Sequence, residues 1–418
     1  MSLYTKHFFR TCLLTFPLMI LIAGCNPVIN ITGMDISSLY TGKNENSLQV
    51  NQLYNINDSI STISIILPAG LILPDPGTKK YSKKGTLKYE IIGEGKRIGL
   101  TDSATFAIAD TSDQMSFINH TWAFKAPAGM DYFVKATYSV PGILDDFLLL
   151  EYFNKKNRLC QSWYRFQTES GDYLSGNTTA YTQPLRLVTD DTASRQIHIK
   201  FYSRDFPAPI PPFVEQNRAL FNYAPDSTFI LDLKNGKTNY FTTQNTGFYF
   251  FQQDSSLMQG PTLYRMNNGF PKVTMHSLML EALRYITSSK EFQVLNSYDV
   301  PKLAVDSFWI VNSGRADLAT ELIRKYYLRV ENANKLYTSF TEGWKTDRGM
   351  IFIVMGKPTK VFRSFDQEVW IYGEYDDPRA LKFYFKKAQN PFTDNDYVLA
   401  RNQYYKSIWY QNVQMWRR

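Results

Sequence analysis

The sequence has few cysteines. Its 418 residues include three, at Cys12, Cys25 and Cys160. Cys12 directly precedes an apolar segment near the N-terminus, and Cys25 follows that segment. If processing and lipidation remove both from pairing, Cys160 has no partner for an internal disulfide. We therefore expect apolar cores to hold the domains, with Cys160 as a small buried side chain rather than a nucleophile.

Histidine and metal-binding motifs are also scarce. His120, His198 and His276 have no second histidine at ligand spacing, and the sequence contains no Cys-x-x-Cys. The sequence also contains three pairs of adjacent aspartates. The twelve-residue pattern of a calcium-binding hand is absent, so these pairs are better explained as parts of solvated loops. These pairs are Asp145-Asp146, Asp190-Asp191 and Asp376-Asp377. The sequence predicts neither a metal site nor a cofactor.

Two common catalytic signatures are missing. A phosphate-binding loop would need a glycine where Ile351 stands and a Ser or Thr hydroxyl where Pro358 stands. The Gly-x-Ser-x-Gly turn of serine hydrolases does not occur. A Ser-His-Asp triad stays open, because its members need not be adjacent in sequence. No catalytic residue can be assigned, and the sequence favours a non-catalytic protein while leaving the enzyme question open.

Positive charge exceeds negative charge only modestly. The chain carries 46 Lys and Arg against 38 Asp and Glu, a formal net charge of +8. The basic residues are scattered, and neither a basic groove nor an aromatic RNA-binding signature accompanies them. The sequence therefore predicts no nucleic-acid partner.

A short hydrophobic segment lies near the N-terminus. Lys6 and Arg10 precede the ten-residue apolar stretch from Leu13 to Ile22, which is shorter than the roughly 20 residues that span a bilayer. The stretch runs into Ala23-Gly24-Cys25, the pattern of a bacterial lipoprotein cleavage site. It predicts a lipoprotein signal peptide over residues 1–24 and acylation of Cys25, for instance with palmitate, as an anchor to membrane lipid. An ordinary signal peptide with an incidental cysteine is the alternative.

The rest of the sequence has no long apolar run. No later run reaches 18 apolar residues, so no transmembrane helix is predicted in the mature chain. These features predict a protein that is lipid-anchored in the outer membrane of a gram-negative bacterium. Asn26 follows the cysteine without a cluster of acidic residues, which favours the periplasmic face over the cell surface.

Composition and periodicity predict a multidomain chain. Residues 25–50 are polar and irregular, which predicts a lipid-anchored tether. Short strands with close turn signals predict an all-β, immunoglobulin-like sandwich over 51–142. Residues 143–245 predict a second β-rich domain or a continuation of that sandwich. Residues 246–418 mix helical and strand patterns, which predicts an α+β domain.

The α+β domain contains one long helical pattern and several strand-like runs. The helical pattern runs from Arg315 to Tyr337, with apolar residues on one face. After a break at Gly343, the pattern returns to β. The predicted strands are Ile351–Met355, Val369–Tyr372 and Leu381–Phe385.

Three short Asp-Ser or Asp-Thr triplets resemble an acceptor motif for O-glycosylation in some gram-negative envelopes. They make Ser59, Ser103 and Thr192 candidate glycosylation sites. Because three-residue patterns recur by chance, ordinary surface residues are the alternative.

A longer set of motifs lies in the α+β domain. Residues 343–347 read Gly-Trp-Lys-Thr-Asp, followed by Arg348-Gly349, a hydrophobic run and Gly356-Lys357-Pro358. Further pieces are Asp306-Ser307-Phe308-Trp309, residues 326–334 and Glu368-Val369-Trp370-Ile371-Tyr372-Gly373. From about 246 to 385 the sequence resembles the GWxTD domain family of bacterial envelope proteins, which is named after the first motif. That family has no established activity, so the resemblance implies location and architecture rather than a mechanism.

A structural hypothesis explains the charged motif residues. Buried charges must be paired, so we expect a hydrogen-bonded network that joins the long helix to the sheet. Gly343 would take a left-handed conformation at the end of the helix. The network would consist of Arg329, Asp347, Arg348 and Glu368.

A binding hypothesis uses the same region. Trp344, Trp370 and Arg348 could clamp a glycan or a peptide terminus. Asn332, in the family's Arg-Val…Ala-Asn element, belongs to the same candidate set. A closed and fully paired region around Arg329 and Asp347 would favour the structural hypothesis.

The functional expectation follows from location and domain style. It is a non-catalytic accessory or scaffold subunit of a cell-envelope complex, with an envelope protein partner, in a setting such as assembly or export of outer-membrane proteins. The alternative is an envelope glycan- or peptide-binding protein, or a hydrolase, with a pocket at the GWxTD junction. That alternative requires a concave site with perturbed titratable groups. A surface lipoprotein that captures nutrients is a third possibility.

Overall fold

The structure is a computed structural model. It describes residues 35–40, 48–67, 73–74, 81–94, 99–112, 118–141, 146–215 and 221–417. The predicted signal peptide and the predicted lipidation site Cys25 lie outside the described residues.

The first part of the chain forms two antiparallel sheets. One has the strand order β1-β2-β6. The other has the order β3-β4-β7-β8, and β5 also pairs with β4. Because β8 pairs with β7 along its length, the second sheet continues past residue 142. The strands are β1 (Gln49–Asn55), β2 (Ile60–Leu67), β3 (Leu73–Pro74), β4 (Tyr81–Gly93), β5 (Gly99–Ser112), β6 (Ile118–Lys125), β7 (Asp131–Ser139) and β8 (Phe147–Asn154).

Alternate side chains of these two sheets meet in one apolar core. Ile63 and Ile65 of β2 pack into the same cluster as Leu87 and Ile91 of β4 and Val134 of β7. The spacing of two residues is the side-chain period of a strand.

The middle part of the chain forms a second β unit. Its strands follow the order β10-β17-β16-β12-β13-β14-β11-β15, with β9 paired to β11, and its own core centres on strands β11, β12 and β16. The strands are β9 (Arg165–Thr168), β10 (Thr178–Thr179), β11 (Pro184–Val188), β12 (Arg195–Tyr202), β13 (Ser227–Lys234), β14 (Lys237–Thr238), β15 (Phe241–Thr242), β16 (Gly247–Gln252) and β17 (Thr262–Arg265).

The last part combines helices with an antiparallel sheet of order β18-β19-β20-β21. This confirms a mainly β N-terminal part followed by a C-terminal part with both helices and strands. The elements are α1 (His276–Ala282), α2 (Ser289–Asn296), α3 (Pro301–Ser313), α4 (Ala316–Tyr337), α5 (Asp347–Met355), β18 (Lys360–Arg363), β19 (Gln367–Tyr372), β20 (Leu381–Lys387), β21 (Tyr397–Leu399) and α6 (Tyr405–Met415).

Local sequence explains several helix ends. Ser288 and Glu291 form a reciprocal capping box at the start of α2. Pro301 stands in the first turn of α3, where a missing N–H costs nothing, and Gly314 ends that helix with a φ of 68°. None of the helices among the described residues is long and apolar enough to cross a membrane.

The predicted strand at Ile351–Met355 is wrong, because these residues form the second half of α5. A run of five apolar residues has no period that separates a strand from a fully buried helix. The residues before it decide the outcome. Thr346 caps the helix by accepting a hydrogen bond from the Gly349 N–H, and Asp347 places an acid in the first turn.

The second of the two N-terminal sheets and the C-terminal part share a core. Phe133, Leu148 and Leu150 project from the sheet that contains β7 and β8 into the cluster formed by α3, α4 and α5. The ring centroids of Phe133 and Phe365 are 4.8 Å apart. Both faces of β8 are therefore covered, which explains why its Phe-Leu-Leu-Leu run does not alternate with polar residues.

Candidate functional site

The Gly-Trp-Lys-Thr-Asp motif connects two helices. A short 3-10 turn, Gly343–Lys345, follows α4 and leads directly into α5. The Thr346 hydroxyl donates to the Gly343 carbonyl at 2.7 Å and accepts from the Gly349 N–H at 3.1 Å. The threonine of the motif is therefore a helix cap that also closes the turn.

The two motif glycines allow close approach of backbones. A Cβ on Gly343 would lie 2.0 Å from the Ala333 carbonyl oxygen, and a Cβ on Gly349 would lie 2.0 Å from the Gly343 carbonyl oxygen. Gly343 does not have the positive φ that we expected of a left-handed cap. It is required for a different reason, because α4 passes too close for any side chain.

Trp344 fills the space beneath the turn. Its side chain is 1% exposed, its backbone N–H donates to the Asn334 Oδ1, and its backbone carbonyl accepts from the Tyr285 hydroxyl at 2.6 Å. The rings of Trp344 and Tyr285 meet edge to face. Trp344 therefore locks the turn onto α4 and onto the residues that follow α1.

Asp347 pairs with an arginine that the sequence analysis did not name. Its Oδ1 accepts from the Arg401 Nη2 at 2.5 Å, and its Oδ2 accepts from the Leu399 N–H at 2.9 Å. Arg401 also donates to the carbonyls of Ile210 and Pro211. The pair ties the start of α5 to the end of β21 and to the proline-rich connection between β12 and β13.

Arg348 and Glu368 form a buried ion pair. The Arg348 Nη1 lies 3.0 Å from the Glu368 Oε2, and both side chains are at most 2% exposed. The second Arg348 nitrogen donates to the carbonyl and side-chain oxygens of Asn395. The Glu368 carboxylate also accepts from the Trp370 Nε1 at 2.7 Å and from the Arg363 Nη2 at 3.3 Å.

The charges around Glu368 determine its protonation state. Burial alone would raise its pKa, but the guanidinium groups of Arg363 and Arg348 and hydrogen bonds from Tyr40 and Trp370 hold the pKa below its usual value. Glu368 is therefore an ionised carboxylate that accepts hydrogen bonds.

Arg329 has a separate role at the other end of α5. Its Nη1 donates to the carbonyls of Ile353 and Val354 in the last turn, and its guanidinium covers the ring of Trp416 at 4.7 Å. A cation at a helix C-terminus is favourable because the last carbonyls lack helical partners. Asn332 is buried, and its Oδ1 has no hydrogen-bond partner within the described ranges.

The expected four-residue network is thus divided over three places. Arg348 and Glu368 meet, as the sequence indicated. Asp347 binds Arg401 instead of Arg329, and Arg329 caps α5. Each arrangement fastens α5 to a different neighbour, so the helix is held at both ends and along one side.

Tyr40 completes the Glu368 cluster, although it was not among the predicted site residues. Its hydroxyl donates to the Glu368 Oε1 and accepts from the Arg363 Nη2 at 2.5 Å. Its ring stacks on Tyr337 and meets Trp370 edge to face. Residues 35–40 are therefore a docked segment within the predicted tether over 25–50, most of which lies outside the described residues. Ile36, Leu39 and Tyr40 within a polar stretch were the available signal.

The residues of the binding hypothesis are enclosed by the protein itself. Trp370 is fully buried, and Trp344 and Arg348 are each 1% exposed. Their polar neighbours are side chains and backbone groups of the same chain. Within the described ranges, no group of three or more His, Cys, Asp or Glu could hold a metal ion.

The candidate glycosylation residues are accessible. Ser59, Ser103 and Thr192 are all exposed, at the β1–β2 turn, on β5 and before β12. Exposure is necessary for modification but does not distinguish it from an ordinary surface, so these sites stay a prediction.

Cys160 is partly buried, and its Sγ contacts the Asn154 Oδ1 at 2.9 Å. Burial raises the pKa of its thiol from 9.0 to about 11. At pH 8 we expect iodoacetamide to alkylate Cys160 on the order of 100-fold more slowly in the folded protein than in urea, because the thiolate is correspondingly rarer. Peptide mass spectrometry over time measures this rate. Equal rates in both conditions would show a reactive cysteine.

The C-terminal region has the architecture of an α+β module whose helix-to-helix junction is closed by buried polar pairs. Residues 247–418 match the family model described as the GWxTD domain. This part of the chain therefore belongs to the GWxTD domain family, as its motifs indicated. No curated protein matches the chain.

Proposed function

We propose that this protein is a lipoprotein anchored in the outer membrane of a gram-negative bacterium, on the periplasmic side. It acts there as a non-catalytic accessory or scaffold subunit of a cell-envelope complex, in a setting such as assembly or export of outer-membrane proteins. The observation that carries the non-catalytic role is the closed GWxTD junction. Arg348 and Glu368 pair with each other, and the backbone of Trp344 is hydrogen-bonded to Asn334 and Tyr285. Trp344, Arg348 and Glu368 are each at most 1% exposed, so they present almost no surface to a substrate.

The β part fits an extended spacer or interaction module. We assign the first two sheets to an immunoglobulin-like sandwich, supported by antiparallel pairing throughout and by a core shared between the two sheets. Such modules present edges and loops to partners while their cores stay closed.

The anchor is tested by acylation of the cysteine. We expect an alkyne analogue of palmitate to label the full chain in a gram-negative host, and Cys25→Ala to abolish the label, because the lipid is attached through that sulfur. Cys160→Ala is the matched control and keeps the label. Fluorescence of the conjugated alkyne on a gel measures both. Label that survives Cys25→Ala would refute this anchor.

The scaffold role is tested by recovery of a partner. The tagged chain is captured from detergent-solubilised membranes of its own organism, with the Cys25→Ala chain as the control. A membrane protein recovered in stoichiometric amount with the acylated chain supports the proposal. Repeated recovery of the chain alone contradicts it.

A further inference from the structure

The segment Asp35–Tyr40 enters the GWxTD domain like a bound peptide. Its hydrogen-bond partners outside the segment lie more than 300 positions later in the sequence, and the segment also packs against β8. Ile36 is fully buried and Tyr40 is 3% exposed, which is unusual for a six-residue piece with a single short 3-10 turn. The segment therefore owes its position to the surface that receives it.

The first half of the segment pairs with an edge strand. The Ile36 N–H donates to the Val361 carbonyl at 3.0 Å, and the Val361 N–H donates to the Asp35 Oδ1 at 2.9 Å. Val361 lies on β18, which ends the order β18-β19-β20-β21. An edge strand carries backbone groups without sheet partners, and an added peptide satisfies them.

In the second half of the segment, Tyr40 is surrounded by aromatic rings and charged side chains. The ring of Tyr40 lies 5.6 Å from that of Tyr337 and 5.5 Å from that of Trp370, measured between centroids. Its hydroxyl lies between the Glu368 carboxylate and the Arg363 guanidinium. Phenylalanine would fill the ring space but would leave both charged groups short of a partner.

We propose that the GWxTD domain contains a peptide-binding site for the pattern Asp-Ile-x-x-x-Tyr, and that this chain fills the site with its own residues 35–40. The edge of β18 binds the Ile36 N–H and the Asp35 carboxylate, and the pair of Arg363 and Glu368 binds the tyrosine hydroxyl. The site is a receptor for one segment of the chain and is distinct from the GWxTD turn.

Given the proposed acylation of Cys25, docking limits the distance between the lipid and the GWxTD domain. Asp35 follows Cys25 by ten residues. A chain of that length spans at most about 35 Å, whereas an undocked tether up to residue 50 could span at most roughly 85 Å. Docking therefore holds the GWxTD domain close to the lipid.

The test separates the segment from the rest of the folded protein. A protease site is introduced within residues 41–47 of the full chain, the detergent-solubilised protein is cleaved, and the products are passed over a size-exclusion column. We expect the N-terminal fragment to remain with the body. A fluorescent peptide of residues 33–42 should then replace it on prolonged incubation, as measured by fluorescence anisotropy.

Variants of the peptide give the specificity. Tyr40→Phe should bind about tenfold more weakly, because Glu368 and Arg363 lose their hydrogen bonds to the hydroxyl. Tyr40→Ala should bind roughly 10- to 100-fold more weakly, because the ring contacts are lost as well. Ser38→Ala is the matched control and should bind like the parent. Near-ultraviolet circular dichroism checks that the cleaved body stays folded.

The proposal is overturned if the fragment leaves a folded body on the first column and the parent peptide does not bind that body at millimolar concentration. Equal binding of the parent and Tyr40→Ala peptides would also overturn it. The peptide-binding measurement needs neither lipid nor partner, so its failure leaves the acylation and capture experiments unaffected. Their failure in turn leaves this site intact.

Discussion

Replacing Glu368 by glutamine will lower the free energy of unfolding by about 3–5 kcal/mol, because it leaves buried guanidinium groups without a counter-charge. Glu368 is fully buried and is the carboxylate shared by Arg348 and Arg363. Glutamine has nearly the same shape, so little of the loss comes from packing. Its amide nitrogen would also have to face a donor from Tyr40, Trp370 or an arginine.

The pH dependence gives this prediction a second readout. The pKa of Glu368 is lowered in the folded protein from an ordinary value of 4.5. A depressed carboxyl pKa contributes stability that is present above the unfolded pKa and disappears as pH falls through the folded one. The difference in unfolding free energy between the parent and Glu368→Gln should therefore be constant near neutral pH and shrink below about pH 4.5.

Urea unfolding followed by tryptophan fluorescence at several pH values measures both effects. Glu321→Gln is the matched control, since Glu321 is an exposed residue of α4, and it should change stability by less than about 0.5 kcal/mol. A loss below about 1 kcal/mol for Glu368→Gln at neutral pH would contradict the account of the cluster.

Local patterns could predict elements whose signal is long. The helical stripe from Arg315 to Tyr337 repeats over six turns, and the structure places α4 at Ala316–Tyr337. Ile351–Met355 was predicted wrongly because five apolar residues contain too little periodicity. The residues that decided the outcome, Thr346 and Asp347, precede this run, and the structure reveals them as the cap and the first-turn acid of α5.

Most partners of the charged residues could not be predicted, because they lie far away in the sequence and local patterns cover only neighbouring residues. The structure brings Arg348 to Glu368, which lies twenty residues away on the neighbouring sheet. Asp347 and Arg401 are separated by 54 positions, and Tyr40 and Glu368 by 328. Charge pairing indicated that each buried group needs a partner, but the identity of the partner is decided by how the helices and sheets pack.

Replacing Gly349 by alanine will have the second large effect and will reverse the usual sign of a helical substitution. Alanine in place of glycine within a helix ordinarily stabilises by about 0.5–1 kcal/mol. Here the added Cβ would lie 2.0 Å from the Gly343 carbonyl oxygen and 3.0 Å from the Trp344 Cα. Both contacts are backbone atoms of a turn that is pressed against α4, so neither can rotate away.

We expect Gly349→Ala to cost more than about 3 kcal/mol, at the upper end of what overpacking causes. The control is Gly314→Ala, where φ is 68° and nothing lies within 4 Å of the added Cβ. That change carries only the left-handed backbone penalty, about 1–2 kcal/mol. Urea unfolding compares the two variants, and hydrogen exchange over residues 347–355 reports whether α5 has loosened. If Gly349→Ala is no more destabilising than Gly314→Ala, close contact between the turn and α5 is not what requires the second glycine of the motif. If exchange in α5 rises while the β sheets keep their protection, the glycine holds the junction through which the domain fastens its two helices.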